Sequence, residues 1–570
     1  MKVKGMALSR AYRMAGIAAL LTWCSTPAHS QVGPEGWRKD LQVLVGAIKA
    51  VHPRPFHWAS EAEFDSAARS LETRLPGLTD EQAATGLMRL VAMVRDGHTV
   101  LEPAGKVFPA DRWYPVRIDR LADGFFIVAT APAQRALLGA RVLAVGGHPI
   151  EFVWDSLLVL APGDNVFSQM ARTTIWMMMP RLMAALGLGD ASRLSIDVDQ
   201  DGRRRTISVG TVAGSMNYHL LVQDLVAGDS SVGLPDRSGG AVDLTYRHDA
   251  MPYWFSVDSS GTLFAQVNLV SNADSAVYLD GILARIGLRA FGDRVLARID
   301  SGGVRRVILD LRNNAGGNNN LIVPFVAGLA ARSAINSAGH LFVITGRRTY
   351  SAAMNFTSLL EDRTSALFVG EPPGGRPSHY GDATTFVLPA SGLKLNVSTL
   401  HWDSGVAPTD VREEQEPDLL APPTMADLRA GRDPAISAIR DWKPGGTLHE
   451  QLRERFERAG IDSALNLMRS TAPDQATPWN SRAQQFIKFA YDLFGARGTS
   501  SDIGRVLELT AQLYPDSPNV WFELGRINTF IGRGAAATVG FERALRLRPN
   551  QETIRRFYEV ARRHSSDGAP

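Results

Sequence analysis

Cysteine is almost absent: Cys24 is the single one in 570 residues. It falls inside an N-terminal segment of targeting type, so the chain beyond it offers no thiol nucleophile, no thiolate metal site and no disulfide. Lysine is missing from the middle of the chain, with none between Lys106 and Lys394. A strong charge of either sign is lacking too. Four of the 61 Lys and Arg and none of the 58 Asp and Glu lie in the first thirty residues, leaving a formal net charge of −1 beyond them. That balance gives no reason to expect nucleic acid. No later apolar run reaches the ~18–20 residues that a bilayer-spanning helix needs, so an integral membrane protein is not expected. The histidines are dispersed and H-E-x-x-H is absent, so neither a metal nor another cofactor is expected.

What is present begins with a secretory signal pattern. Lys2, Lys4, Arg10 and Arg13 precede the apolar segment Met14 to Trp23, and Ala28-His29-Ser30 places small residues at −3 and −1 of a cut before Gln31. An exported location, periplasmic or secreted, is expected. Bulky Trp23 before Cys24 argues against lipid attachment there.

Residues 31–103 read as helical. Leu41, Leu44, Val45 and Ile48 recur at helical spacing, and Thr79 with Gln82 forms a capping box before Leu87, Leu90, Val91 and Val94. That helix runs into Arg95-Asp96-Gly97-His98-Thr99, which places His98 on a loop at an element boundary; by itself such a histidine is a polar surface or capping residue. Residues 104–250 are β-rich. Leu138 to Gly147 resembles the central strand and glycine turn of a PDZ-like module, although a plain β-meander packed on the core reads the same way. Met177-Met178-Met179 is expected to fill core, and a helix is expected around Leu279 to Ile299.

The stretch Arg306 to Gly370 is the centre of the next segment, 251–442. Val307-Ile308-Leu309-Asp310-Leu311 is a buried strand feeding Arg312-Asn313-Asn314-Ala315-Gly316-Gly317. Leu341 to Thr345 is a second strand, and after a loop Ser351-Ala352-Ala353-Met354 opens a helix. A serine at a helix start lies near unpaired N–H groups and the positive end of the helix dipole. The Ala352 N–H with one from Gly316 or Gly317 would make an oxyanion hole, since glycine lets backbone come close to a substrate. Asp310 and Arg312 read as a structural ion pair holding the glycine turn.

Residues 443–570 have another architecture. Trp521, Leu524, Gly525, Ala537, Phe541 and Pro549 match the W-x2-L-G and A-x3-F…P skeleton of a tetratricopeptide repeat, and Leu513 and Pro515 recur as Leu547 and Pro549 at the 34-residue period. About three helix pairs are expected, serving as a surface for a protein partner or stacking on the chain's own catalytic unit.

Four motifs together, Asp96-Gly97-His98-Thr99, Asp310-Leu311-Arg312…Gly316-Gly317, Thr349-x-Ser351-Ala352-Ala353 and Gly370-Glu371, resemble the S41 peptidases: C-terminal processing proteases, tricorn core proteases and related binding modules. The resemblance covers roughly residues 36–442. It implies an α/β fold: a crotonase-like ββα superhelix as catalytic core, an N-terminal helical region, and a PDZ-like or degenerate β insertion. It also implies a peptide or protein substrate attacked by Ser351. The processing proteases take their base from a lysine after the Gly-Glu pair, but Gly375-Arg376 stands there, and arginine does not deprotonate at usable pH. The tricorn-like alternative implies His98 as the base. Its orienting acid is expected at Asp410, with Glu413, Glu414 and Glu416 as competitors, and His379 and His401 as rivals to His98. The other reading is a binding or scaffold protein that keeps the fold without the chemistry.

Overall fold

In Arg306–Asp310, Val307 and Leu309 face one way and Ile308 the other, and all three are buried. A strand covered on both faces needs no polar alternation, which is why this one reads as an unbroken apolar run. The computed structural model describes residues 32–109, 111–214, 232–234, 251–403, 405, 407, 409–472, 478–479, 481–495 and 498–567. The expected signal segment with Cys24 and most of the polar loop before Tyr253 lie outside them.

Arg306–Asp310 belongs to an eight-stranded sheet in the order Ile282–Ile286, Ser275–Leu279, Tyr253–Val257, Thr262–Val267, Arg306–Asp310, Leu341–Thr345, Leu367–Gly370, Leu419–Leu420. The last five run parallel. Parallel neighbours require crossovers, and the helices Leu288–Asp300, Ile322–Ala330 and Ala352–Arg363 supply them. They cover one face through Phe291, Val295, Phe325, Leu329 and Phe356. Helix Pro434–Asp441 closes the other face, setting Ala435 and Ile439 against Trp254, Ile308 and Phe342. The carboxyl ends Asp310, Thr345 and Gly370 therefore emerge at one edge, where an open parallel sheet places its site.

The helix expected around Leu279 to Ile299 starts later, at Leu288. Ser275–Leu279 and Ile282–Ile286 form an antiparallel hairpin instead. Its two-residue turn is Asp280-Gly281, with φ of 47° and 96°. Both values are positive, as an Asp-Gly hairpin turn requires.

The N-terminal helices Gly33–Val51, Glu61–Arg74 and Asp80–Ala92 pack through Trp37, Leu41, Leu44, Leu87 and Leu90. Thr79 and Gln82 form the expected capping box. The strand Val100–Leu101 pairs with Lys394–Val397, and Leu388, Leu393, Leu395 and Val397 enter the N-terminal core. The hairpin Thr384–Val387 and Lys394–Val397 thus lies within 251–442 in sequence yet packs with 31–103 in space. Between them, Gly124–Thr130, Arg141–Val145, Arg193–Gln200 and Arg203–Gly210 make an antiparallel sheet. It is backed by the helices Ile150–Leu158 and Val166–Trp176 and by the buried Met177, Met178 and Met179.

Beyond Trp442 the described residues form six helices, from Leu448–Thr471 to Glu552–Asp567, each packed on the next. At Gly525 a Cβ would stand 2.5 Å from the Phe541 ring, so the glycine lets Pro518–Phe530 and Gly534–Leu547 cross closely. The helical region docks on the rest of the chain: Trp479 Nε1 donates to Glu371 at 2.8 Å, Lys488 pairs with Asp418 at 2.6 Å, and Asn550 Nδ2 donates to the Trp58 carbonyl at 3.0 Å.

Arg312 holds the glycine turn. Its guanidinium meets Asp310 at 3.0 Å and Asp433 at 2.8 Å, both acids wholly buried, and Asp433 caps the helix Pro434–Asp441. Arg312→Met leaves two buried carboxylates facing each other without their cation. An unfolding free energy lower by about 3–5 kcal/mol is expected in urea titrations; an unchanged midpoint would show that the cluster does not anchor this edge.

Candidate active site

The serine comes first because its backbone is unusual. Ser351 has φ +56° and ψ −126°, a conformation that an L side chain adopts only under strain, and it immediately precedes the helix Ala352–Arg363. The strand Leu341–Thr345 and this helix hold the turn from both ends, and Tyr350 N donates to the Asn314 carbonyl at 3.0 Å. The result is a sharp strand-loop-helix bend that presents the hydroxyl.

His98 arrives from the N-terminal part of the chain, and its Nε2 lies 2.9 Å from Ser351 Oγ. The loop carrying it is braced by a wholly buried carboxylate. Asp96 accepts hydrogen bonds from His98 N at 2.9 Å, Thr99 Oγ1 at 2.5 Å and Ser398 Oγ at 2.6 Å, and it meets His52 Nε2 at 3.2 Å. Burial works to raise its pKa, but the His52 bond, the nearby imidazoles and the Ser398 bond together hold Asp96 well below the usual carboxylate range. A second acid, Asp164, takes the Gly97 N–H at 2.9 Å. Burial and the charge of Asp96 push Asp164 up to about 7.

Asp410 is not brought to His98. Its carboxylate is held by Arg412, at 2.6 Å from Nη2, and Arg412 in turn pairs with Glu361 at 2.8 Å. A guanidinium with five donors two residues away is a closer partner than a distant imidazole. The competitors are engaged elsewhere: Glu413 with Arg548, Glu416 with Ser481 and the Gln484 N–H, while Glu414 is half-buried and pushed up to about 7 by desolvation and by Glu416. The group that meets His98 Nδ1 is the hydroxyl of Tyr350, at 2.8 Å, with the two rings 4.6 Å apart. Burial, with Asp164 and Asp96 adding to it, raises the Tyr350 phenol well above its ordinary pKa and keeps it protonated. Apart from adjoining Ser351, Tyr350 carries no mark of this role in the sequence; in the fold Gly97 makes way for it, since a Cβ there would stand 2.3 Å from the Tyr350 hydroxyl.

The glycine turn comes close to the serine, with a Cβ on Gly316 falling 2.6 Å from Ser351 Cβ. The Gly316 N–H is donated to Asn314 Oδ1 at 2.9 Å and its carbonyl accepts from Val270 N at 2.8 Å. That removes Gly316 as a donor to substrate and leaves Gly317 and Ala352, whose N–H groups make no hydrogen bond among the described residues. Neither rival histidine touches Ser351. His379 Nδ1 meets the Arg376 carbonyl at 3.1 Å with its ring 6.2 Å from that of His98, and His401 meets Ser378 at 3.0 Å. Glu371 serves structure: it pairs with Arg347 at 2.8 Å, and Arg347 reaches Asp119 of the β-rich region at 2.9 Å. Among the described residues no group of three or more His, Cys, Asp and Glu is placed to hold a metal ion.

No protein-family model and no curated protein sequence matches the chain. Solved structures do. A point mutant of CPAF is matched at a TM-score of 0.50 and 14% identity, over 73% of this chain and 99% of that one. The photosystem II D1 C-terminal processing protease is matched at 0.31 and 15%, over 68% and 92%, and the tricorn protease at 0.30 and 13%, over 71% and 36%. The chain shares the fold of CPAF over nearly all of that protein's length.

Burial is the main influence on His98 and lowers its pKa below the ordinary 6.5, against the raising effect of Asp96. Asp96→Asn removes the opposing charge and leaves burial in place. The imidazole of His98 is then expected to titrate lower still, as followed by NMR of ring-labelled histidine; an upward move would show that burial does not dominate.

Proposed function

We propose that the protein is a serine peptidase that cleaves peptide bonds through an acyl-enzyme on Ser351, with His98 as general base. The observation that carries this reading is the 2.9 Å contact between His98 Nε2 and Ser351 Oγ, made on a strained turn that aims the hydroxyl outward. The shared fold with a protease of known structure supports it.

In the base-competent tautomer the proton sits on Nδ1 and is donated to the Tyr350 oxygen, which leaves the Nε2 lone pair to accept from the serine. Ser351 Oγ adds to the scissile carbonyl as its proton passes to Nε2. The oxyanion is received by the N–H groups of Gly317 and Ala352, each such donor contributing about 3 kcal/mol. The imidazolium is favoured by the buried negative charge of Asp96. Collapse of the intermediate breaks the C–N bond, and the leaving amine takes the proton from Nε2. Water, activated by the same imidazole, then releases the acid and restores Ser351. Because burial lowers the His98 pKa, the neutral base persists to lower pH than an exposed histidine would allow, so the acidic limb of the rate profile falls below 6.5.

The signal pattern of residues 1–30 supports an exported location. The repeat-like spacing after residue 443 supports a tetratricopeptide-like array, and the strand and glycine turn at Leu138 to Gly147 support a PDZ-like insertion.

A fluorophosphonate probe tests the chemistry. Labelling is expected for the natural chain and for neither Ser351→Ala nor His98→Ala. Labelling that survives Ser351→Ala would sink the nucleophile, and labelling undiminished in His98→Ala would sink the base. Tyr350→Phe keeps the ring stack but strips the hydroxyl from Nδ1. Leaving a buried partner unpaired costs about 1–3 kcal/mol, so kcat is expected to fall on the order of ten- to a hundredfold with little change in KM. An unchanged kcat would remove Tyr350 from the positioning of His98.

A further inference from the structure

At the seam between the helical region and the rest of the chain lies a polar cavity of about 320 Å³. Three separate parts of the chain build its wall: Arg54 and His57 from the loop after the first helix, Arg376 and His401 from the segment following Gly370, and Arg548 and Arg556 from the turn before the last helix and from that helix. Most of the carboxylates there already have partners. Glu552 pairs with Arg54 at 3.1 Å and also with Arg556, Asp410 pairs with Arg412, and exposed Asp403 faces His401.

Two donors are left over. The buried Nε and Nη2 of Arg376 have no hydrogen-bond partner; the buried Nε2 of His57 has none either, but with Nδ1–H donated to the Arg54 carbonyl at 2.9 Å it is an acceptor while the ring is neutral. Buried polar groups are nearly always paired, and each exception calls for an explanation. The surroundings deepen the imbalance. Three guanidinium groups crowd the Trp58 indole, Arg548 at 3.8 Å, Arg95 at 4.4 Å and Arg376 at 5.6 Å from the ring centroid. Burial, then the charges of Arg376 and Arg95, work against the charge of Arg548, although Glu413 contacts it from one side. Burial and the charge of Arg376 push His57 down to about 3. Of the acids that act on Arg376, Asp164 and Glu414 are themselves pushed up to about 7, and the carboxylate of Asp96 is taken up by its own four partners.

We propose that this cavity binds a small oxyanion, a carboxylate or phosphate group, held by Arg376 and closed over by Arg548 of the helical region. A guanidinium fork matches either group. The bound anion satisfies the orphaned donors and offsets the repulsion among the arginines. At about 30 Å³ per water, the cavity has room for such an anion with several waters beside it. Occupancy also ties the helical region to the catalytic centre, because the Arg376 carbonyl meets His379, which lies against His98, and the His57 ring is 4.9 Å from that of Tyr380.

Titration calorimetry on the full chain tests this with inorganic phosphate and with citrate, at constant ionic strength in chloride. Saturable one-to-one binding of at least one of them is expected, weakened at least tenfold in Arg376→Gln. Binding of phosphate alone identifies a phosphate group as the ligand chemistry, and binding of citrate alone identifies a carboxylate. Should Arg376→Gln not fold, Arg548→Gln carries the same expectation. Absence of saturable binding by either anion, or binding undiminished in the folded variant, overturns the proposal. The readout is independent of peptide hydrolysis, so it holds whether or not Ser351 is a nucleophile.

Discussion

The buried carboxylate of Asp96 is the constraint on which the candidate site depends. An ionised group with no access to water is tolerable only if its lone pairs are filled, and here the backbone of His98, the hydroxyls of Thr99 and Ser398 and the ring of His52 fill them. Those partners come from the first helix's end, the loop after the third helix, and a hairpin some three hundred residues later. The same electrostatic demand that fixes the loop therefore fixes where the imbalance of charge beside His98 lies. Removing any one donor would expose the carboxylate to an unpaired state and loosen the histidine with it.

A second constraint is steric. Five parallel strands bring three turns to one edge, and those turns touch only because particular positions carry no side chain. Gly316 lies against Ser351, and Gly97 makes way for the Tyr350 hydroxyl. The strained backbone at Ser351 is held from both sides by a fully buried strand and a helix whose first nine residues are buried. Strain of that kind persists only where its surroundings determine it fully.

Local chemistry in this chain was readable from its sequence, and direction in space was not. Val307-Ile308-Leu309 and Leu341 to Thr345 announce buried strands because both faces of the sheet are covered, and Ser351 stands out because a loop and a helical pattern flank it. His98 was readable as a loop residue at the end of a capped helix. Asp410 was chosen by its place along the chain, which says nothing about where its carboxylate turns, and Arg412 two residues on claims it. Tyr350 was hidden because its role needs a hydroxyl to cross to a residue 252 positions away. The hairpin at Asp280-Gly281 was a missed local signal, since the apolar residues around it also fit a helical period. The seam with the helical region was legible only as one of two alternatives, because repeat-like spacing describes how helices stack on each other and not what they lean against.

The pairing of Val100–Leu101 with Lys394–Val397 has a consequence for how the molecule is made. Ser398, which completes the shell around Asp96, follows the serine by 47 residues in synthesis order, and the docking helices come later still. A ribosome that has finished the strand, the bend and the helix around Ser351 has therefore not yet made Ser398, one of the donors that fill the Asp96 carboxylate. The shell around Asp96 is closed only after the serine, its bend and its helix have been made, so a chain that stops short of Ser398 lacks one of the donors to that carboxylate.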